Sequence, residues 1–494
     1  MAYQRIRLFE TKDLDRLYPP VCQYVQQASL AESVTEIAFR PDAWYRVGRL
    51  GRSPTHQAEE WTEPGEMEHD GAHTAVRDYI AAMGLSKPSV EKMIRIWDWK
   101  KRYMLDEWKG PDSKLSRHSK DFALTATTVL LSLCPNIVTL YVGETWRISV
   151  IQEYFLRNNY GLLPRRNLQK LKQVEVITGS GRYPDDPRAY GTVEFLDHFQ
   201  AFHRLPSIES VVMEGVQSYQ ADRYFFVPRT GNMTKIHIQH ADMSSAELAT
   251  IISIPKELEE LRFSLGGLWS TDGGHPLFRP GAIGRCLYGY KDTLRVLDLD
   301  INYHVGLVAP RNDSGVPGVL GEEDGQHEEA EEVRNYGDEY LRMDKESSLL
   351  SRIEDDAPHR SDQIIGSLHD FKELTHLSIG LRSLLGPNNG WRLPTGLAKQ
   401  PPFRLVDILP PNLEYLCIYS YTRGENEDID KHVEEFMAQR ESKYPLLNEV
   451  KGIDETVPDV KAQHPAERDM IPEEELWERP KRDFAWVEVM HETI

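Results

Sequence analysis

Cysteine is nearly absent from this chain. Cys22, Cys134, Cys286 and Cys417 are the only four in 494 residues, and no two form a C-x-x-C pair. A zinc site or a redox dithiol is therefore unsupported. Three of them, Cys134, Cys286 and Cys417, sit inside apolar runs, where a free cysteine behaves as a small hydrophobe. That usage fits a reducing compartment, so a cytoplasmic or nuclear location is expected. Positive charge is also short: 58 Lys and Arg face 78 Asp and Glu, a formal net charge of −20. A general nucleic-acid binder needs a basic face for phosphates, and an anionic membrane surface attracts basic segments, so neither partner is expected. Long hydrophobic runs are missing as well. No window approaches the roughly 18 apolar residues of a transmembrane helix. The opening MAYQRIRLFETKDLDRLY has no apolar core of a secretory signal.

Catalytic signatures are equally scarce. Gly179-Ser180-Gly181 follows the apolar stretch LKQVEVIT, but it lacks the third glycine of a dinucleotide fingerprint and the lysine of a P-loop, and reads as a plain loop. His327-Glu328 opens like a zincin, yet the position three beyond Glu328 is Glu331. His237 and His240 are three apart, which puts them on different faces of a strand, so a shared metal would need a bend. There is no G-x-S-x-G elbow, and no nucleophile–base pair can be assembled. The expectation is a protein with no catalytic residues, no cofactor and no metal.

What the chain does have is enough apolar material to fill a sizeable core, 40% hydrophobic and 10% aromatic residues, and a repeat. An apolar residue, two variable ones, an apolar, a variable and an apolar recur as Tyr3/Ile6/Leu8, Val34/Ile37/Phe39, Ile137/Leu140/Val142, Leu171/Val174/Val176 and Ile208/Val211/Met213. The pattern continues as Met233/Ile236/Ile238, Leu258/Leu261/Phe263, Leu294/Leu297/Leu299, Leu374/Leu377/Ile379 and Leu413/Leu416/Ile418, with a degraded copy at Leu447 and Val450. Uninterrupted copies start between 25 residues apart (208 to 233) and 39 apart (374 to 413), near the leucine-rich-repeat range of roughly 20–29. Alternation at the last positions is the signature of a half-buried strand. Between copies lie helical stretches, Ala123–Leu133, Val193–Phe202 and Ser244–Ile254, the last opening on an N-cap serine. One such unit has too little apolar area to fold alone, whereas stacked units share a core. The fold class expected is α/β: an irregular leucine-rich-repeat solenoid, or horseshoe, with a curved parallel sheet and an outer helix layer. A doubly wound α/β domain alternates the same elements and stays open as an alternative.

Residues 1–305 read as the N-terminal part of this array, and 364–454 as its C-terminal part. A helical insertion is expected in 51–120, with Thr74–Met83 and Ser89–Trp108 helical and the tryptophans packed against the helix layer. Residues 306–363 are acidic (Glu322, Glu323, Asp324, Glu328, Glu329) and too poor in apolar residues to offset ordering entropy, so disorder is expected there. Residues 455–494, with Trp477, Phe484 and Trp486, read as a C-terminal cap or tail.

Several stretches carry a family resemblance. LTATTVLLSLCPNIVTLYV (124–142), KDTLRVLDLD (291–300), LPPNLEYLCIYSY (409–421) and RLYPPVCQYVQQASLAESVTEIAF (16–39) resemble the fungal F-box and leucine-rich-repeat proteins over most of positions 1–455. In that group a helical F-box docks on the cullin-ligase adaptor while the repeats capture a substrate for ubiquitination. YQRIRLF (3–9) looks like the strand that follows the F-box, and the Leu-Pro and helix pattern of the F-box is not found here. The adaptor is thus a partner only if an F-box lies upstream.

Strand geometry names the face that would bind. Residues flanking the inward positions project to the opposite side: Thr139, Tyr141, Gly143; Gln173, Glu175, Ile177; Ser210, Val212, Glu214; Lys235, His237, Gln239; Glu260, Arg262, Ser264; Val296, Asp298, Asp300; His376, Ser378, Gly380; Tyr415, Cys417, Tyr419. The expected protein-binding residues on the concave face are Tyr141, Glu175, His237, Arg262, Asp298, Asp300, His376, Tyr415 and Tyr419. A non-catalytic module recognising a protein partner is the main expectation. Two alternatives stay open: an α/β enzyme with its site at strand C-terminal ends, and a scaffold binding through its acidic loop or C-terminal tail.

Overall fold

A computed structural model describes residues 3–9, 17–40, 71–105, 117–143, 150–177, 195–214, 226–241, 243–265, 278–301, 364–386 and 403–459. Every copy of the apolar pattern is a β-strand, and each strand begins one residue before the second apolar position. The described residues form two compact units, one made of those up to Glu214 with Thr230–Met233, the other of 226–229 and of those from Thr234 to 459.

In the first unit β1 (Arg5–Leu8), β2 (Glu36–Phe39), β3 (Thr139–Val142), β4 (Gln173–Val176) and β5 (Ser210–Glu214) pair in chain order, all parallel. The register is in step: Ile6, Ile37, Leu140, Val174 and Val211 form one row, and all five are buried. The second unit repeats the scheme with β6 (Lys235–Ala241), β7 (Glu260–Leu265), β8 (Val296–Asp300), β9 (His376–Gly380), β10 (Tyr415–Tyr419) and β11 (Glu449–Lys451). Its inner row is Ile236, Leu261, Leu297, Leu377 and Leu416, again buried throughout. Burial of each such side chain contributes about 1.5–3 kcal/mol. The degraded last copy behaves accordingly, since Leu447 and Val450 are only half-buried.

Helices separate the strands. In the first unit they are α1 (Tyr18–Gln26), α2 (Ala28–Ala31), α3 (Gly71–Ala81), α4 (Lys87–Leu105), α5 (Arg117–Leu133), α6 (Val150–Asn159) and α7 (Phe195–Phe202). In the second they are α8 (Ser245–Ser253), α9 (Pro280–Tyr288), α10 (Leu381–Leu385), α11 (Leu405–Ile408) and α12 (Glu427–Lys443). Rings join strand and helices: Phe39 of β2 stacks on Phe155 of α6 at 6.3 Å, and Phe155 meets Phe202 of α7 in a tilted contact at 4.8 Å. Ser244 caps α8 in a full capping box with Glu247, which satisfies two backbone donors that a bare helix end leaves open.

The expected helical insertion is present as α3 and α4, which pack on each other and onto α1 and α5. Trp97 is its fully buried anchor, stacked on Tyr18 of α1 at 4.6 Å and on Phe122 of α5 at 5.7 Å. Buried His73 of α3 ties it further, with Nδ1 against the Tyr18 hydroxyl at 2.7 Å and Nε2 against Asp98 at 2.8 Å.

The turns before the strands are locked by one recurring device. Asn136, Asn232 and Asn412 each precede the first apolar position of a copy. Their side-chain amides donate to carbonyls of the preceding turn: Asn136 to Glu32 (2.6 Å), Asn232 to Leu205 (3.0 Å) and Asn412 to Lys372 (2.8 Å). A backbone ladder runs alongside in the second unit, Glu259 to Thr234, Arg295 to Glu259, Thr375 to Arg295 and Glu414 to Thr375, each N–H donating over 2.8–3.0 Å. It extends the sheet pairing by one residue and holds the rows in step.

The acidic segment 306–363, the glycines at 179–181, His327-Glu328 and the aromatic residues at 477, 484 and 486 lie outside the described residues. At the start of the C-terminal segment Val457 bridges to Tyr419 in parallel, and the Ser420 N–H donates to the Val457 carbonyl at 2.8 Å.

Candidate recognition face on the parallel strands

Alternate strand residues leave the core, and the register sets them in rows. In the second unit the middle row is His237, Arg262, Asp298, Ser378, Cys417 and Lys451, one residue from each strand in turn. The row before it is Lys235, Glu260, Val296, His376, Tyr415 and Glu449, and the row after it includes Ser264, Asp300, Gly380 and Tyr419. Residues as far apart in the chain as Asp298 and Ser378 thus become strand neighbours, about 4.8 Å apart.

Glu260 is the hub of the charged part. Its Oε1 lies 3.0 Å from His237 Nε2 and accepts from Arg262 Nε at 2.6 Å. The close approach of His237, with the Arg262 hydrogen bond, outweighs burial and holds the Glu260 carboxyl at about 2. The same pair raises the Arg262 guanidinium above its ordinary value. Asp298 stands opposite. Burial pushes its carboxyl above the usual carboxylate range, against the pull of the Tyr419 hydrogen bond and the Arg262 charge. The Tyr419 hydroxyl donates to Asp298 Oδ1 at 2.7 Å, and burial together with the Asp298 charge drives that phenol well above its ordinary value. Tyr419 reaches Asp298 by spanning two strand spacings, about 9.6 Å. Gly380, its register partner on the intervening β9, has no side chain to obstruct the ring.

At the C-terminal side, exposed His376 stacks on Tyr415 with centroids 5.9 Å apart, and the Lys451 ammonium lies 5.6 Å from the Tyr415 ring centroid. Lys451 pairs with Glu449 at 2.9 Å.

The expected face is assembled in part. His237, Arg262, Asp298, His376, Tyr415 and Tyr419 gather on the second unit, and Tyr141 lies half-buried on the first. Two of the expected binding residues are corrected. Asp300 is only 5% exposed, at the C-terminal end of β8. Glu175 is likewise 5% exposed, set in register between Tyr141 and Val212. Neither offers a surface carboxylate. Cys417 and Ser264 are buried too. Sequence reasoning passed over Glu260 as a site residue, although its spacing two before Arg262 on one strand face is the signal of a same-face ion pair. It also began the face at β3, missing Arg5, which pairs with Glu36 at 3.1 Å, and Arg7 and Arg40, whose guanidinium groups lie 5.1 and 5.9 Å from the Phe9 ring centroid.

The bend that a His237/His240 pair would need is present: β6 shifts register after Ile238, and His240 has φ +52°. Among the described residues no group of three or more His, Cys, Asp or Glu could hold a metal ion, and no helix is long and apolar enough to cross a membrane. A small pocket at the C-terminal end of β10 is lined by Arg382, Tyr419, Ser420, Tyr421, Glu425 and Asn426, among others. No family model, no curated protein and no solved structure matches this chain.

Proposed function

We propose that this protein is a non-catalytic recognition module, a leucine-rich-repeat-type solenoid whose exposed strand face binds another protein. Within each unit the strand order follows the chain without the reversal that creates the ligand crevice of doubly wound folds. Crossovers of one hand then carry all helices to one side and leave the other side of the strands open. The observation that carries the reading is the composition of that open side. It presents His376, Tyr415, Tyr419, Arg262 and Asp298 together, the mix of aromatic and charged groups that anchors protein interfaces. An open strand face offers area rather than enclosure, which suits a protein surface better than a small substrate.

A photo-crosslinking residue at position 376, on the face, and another at position 431, on α12, test this in native extract. Crosslinks to a discrete protein from 376 and none from 431 are expected. Equal yields from both, or none from 376, would refute it. The family resemblance narrows the proposal to the substrate-binding part of an F-box-type ubiquitin ligase. Association with the cullin adaptor, measured on the same preparation, tests that narrower role.

A further inference from the structure

Small residues occupy the middle of the second unit's strand face. Ser378 and Gly380 of β9 and Cys417 of β10 have little or no side chain, and Gly380 and Cys417 are buried. Larger groups stand around them. His376 and Tyr415 lie in the row before, Tyr419 in the row after, and Asp298 and Lys451 flank Ser378 and Cys417 within their own row. Tyr415 and Tyr419 stand at the two ends of β10, about 13 Å apart along an extended strand. The register therefore leaves a shallow basin over half-buried Ser378, between His376 and Tyr415 on one side and the Tyr419 ring that crosses β9 on the other, with the Asp298 carboxylate in its wall.

The charges around this basin are already committed, with one exception. Glu260 holds both His237 and Arg262, and Lys451 is on Glu449. Asp298 accepts one hydrogen bond, from the uncharged Tyr419 hydroxyl, and enters no ion pair among the described residues. Arg262 is its register partner across β7 and β8, yet the guanidinium is turned back along its own strand to Glu260. Asp298 thus gives up hydration while the two cations near it, Arg262 and His237, are bound to Glu260 and act on it only at a distance, an arrangement that costs stability in the free protein.

Resting on the reading of this face as a protein-binding surface, we propose that the basin takes a cationic side chain of the partner protein, arginine in preference to lysine, with its head group on Asp298 and its stem against the rings of Tyr415, His376 and Tyr419. A guanidinium is planar, weakly hydrated and able to stack on aromatic faces while donating to a carboxylate, which matches the rim and the wall together. An acidic side chain would meet an unpaired carboxylate and be repelled. Glu260 has a defined part in this: by retaining Arg262 it keeps the protein's own guanidinium off Asp298.

The test is selection of a random twelve-residue peptide library on the immobilised full chain, followed by affinities of the selected peptides for Asp298→Asn, Glu260→Gln and Tyr415→Ala. Arginine, then lysine, should be enriched among the binders. Asp298→Asn should weaken them by about tenfold or more, the scale of a charge-assisted contact, while its amide oxygen still accepts from Tyr419 and the melting curve stays cooperative. Glu260→Gln should weaken the same peptides, because Arg262 becomes free to pair with Asp298 and fill the basin from within. Arginine-rich binders indifferent to Asp298→Asn would overturn the proposal. Binders that lose affinity in Tyr415→Ala but show no cationic bias would also overturn it, while leaving the protein-binding reading of the face intact.

Discussion

Leu261 and Arg262 are adjacent residues of β7 with opposite fates, and replacing each by alanine tests the alternation on which the face depends. Leu261 is wholly buried, between Ile236 of β6 and Leu297 of β8 in the inner row. Three carbons leave the core in Leu261→Ala. At about 0.8 kcal/mol per methylene the transfer loss is about 2.4 kcal/mol. An unfilled cavity adds to it, so the total should be about 3–4 kcal/mol. Against a typical domain stability of roughly 5–15 kcal/mol this is a large fraction. Arg262→Ala removes a half-exposed side chain whose partner Glu260 keeps His237, and should cost under about 1 kcal/mol. Urea unfolding followed by far-ultraviolet circular dichroism gives both differences. Amide exchange should show protection falling first in β6, β7 and β8, because each repeat leans mainly on its neighbours. Leu261→Asp, which places a carboxylate in the same row, should abolish the cooperative transition. Similar costs for the two alanine variants, or a cooperative Leu261→Asp, would refute the stacked-repeat account.

Other outcomes follow from the same residues. Asn412→Ala should lower stability by about 1 kcal/mol, the net value of a hydrogen bond between turns, with differential scanning calorimetry as the check. The Glu260 carboxyl is held at about 2 instead of 4.5. Its contribution is therefore complete above pH 4.5 and lost as pH falls toward 2, so the stability gap between the native protein and Glu260→Gln should close across that window in acid-unfolding titrations. Asp298 has the opposite sign, since its carboxyl is raised and the fold disfavours the ionised form. Asp298→Asn should be at least as stable as the native protein at neutral pH, and the difference should shrink on acidification.

Strand positions were legible because the signal is local: each copy of the apolar pattern carries its own period-two alternation, and the cap at Ser244 needs only Glu247 three residues on. The row positions followed from the same alternation. What escaped was anything set by residues far away in the chain. Asp300 looks like Asp298 in the sequence VLDLD, but their surroundings depend on Tyr419, more than a hundred positions later. Glu175 is likewise buried by neighbours from other strands, Tyr141 and Val212. Glu260 was passed over because a glutamate near an arginine on a strand usually marks a solvated surface, and only the approach of His237 from β6 makes it a hub. The bend at His240 has no glycine or proline to announce it.

The in-step register has a consequence for how such a protein can vary. Between β7 and β8 run 30 residues, 266–295, while between β8 and β9 run 75, 301–375, yet the Asp298–Ser378 pairing continues the row without a shift. Counted as free chain, closing 75 residues rather than 30 costs only about 0.8 kcal/mol more, because the closure entropy grows with the logarithm of length. Connector length and strand-face chemistry are therefore nearly independent variables. Segments can lengthen or be exchanged between strands while each residue on the face keeps its row and column, so new sequence can be added to this protein without rearranging that face.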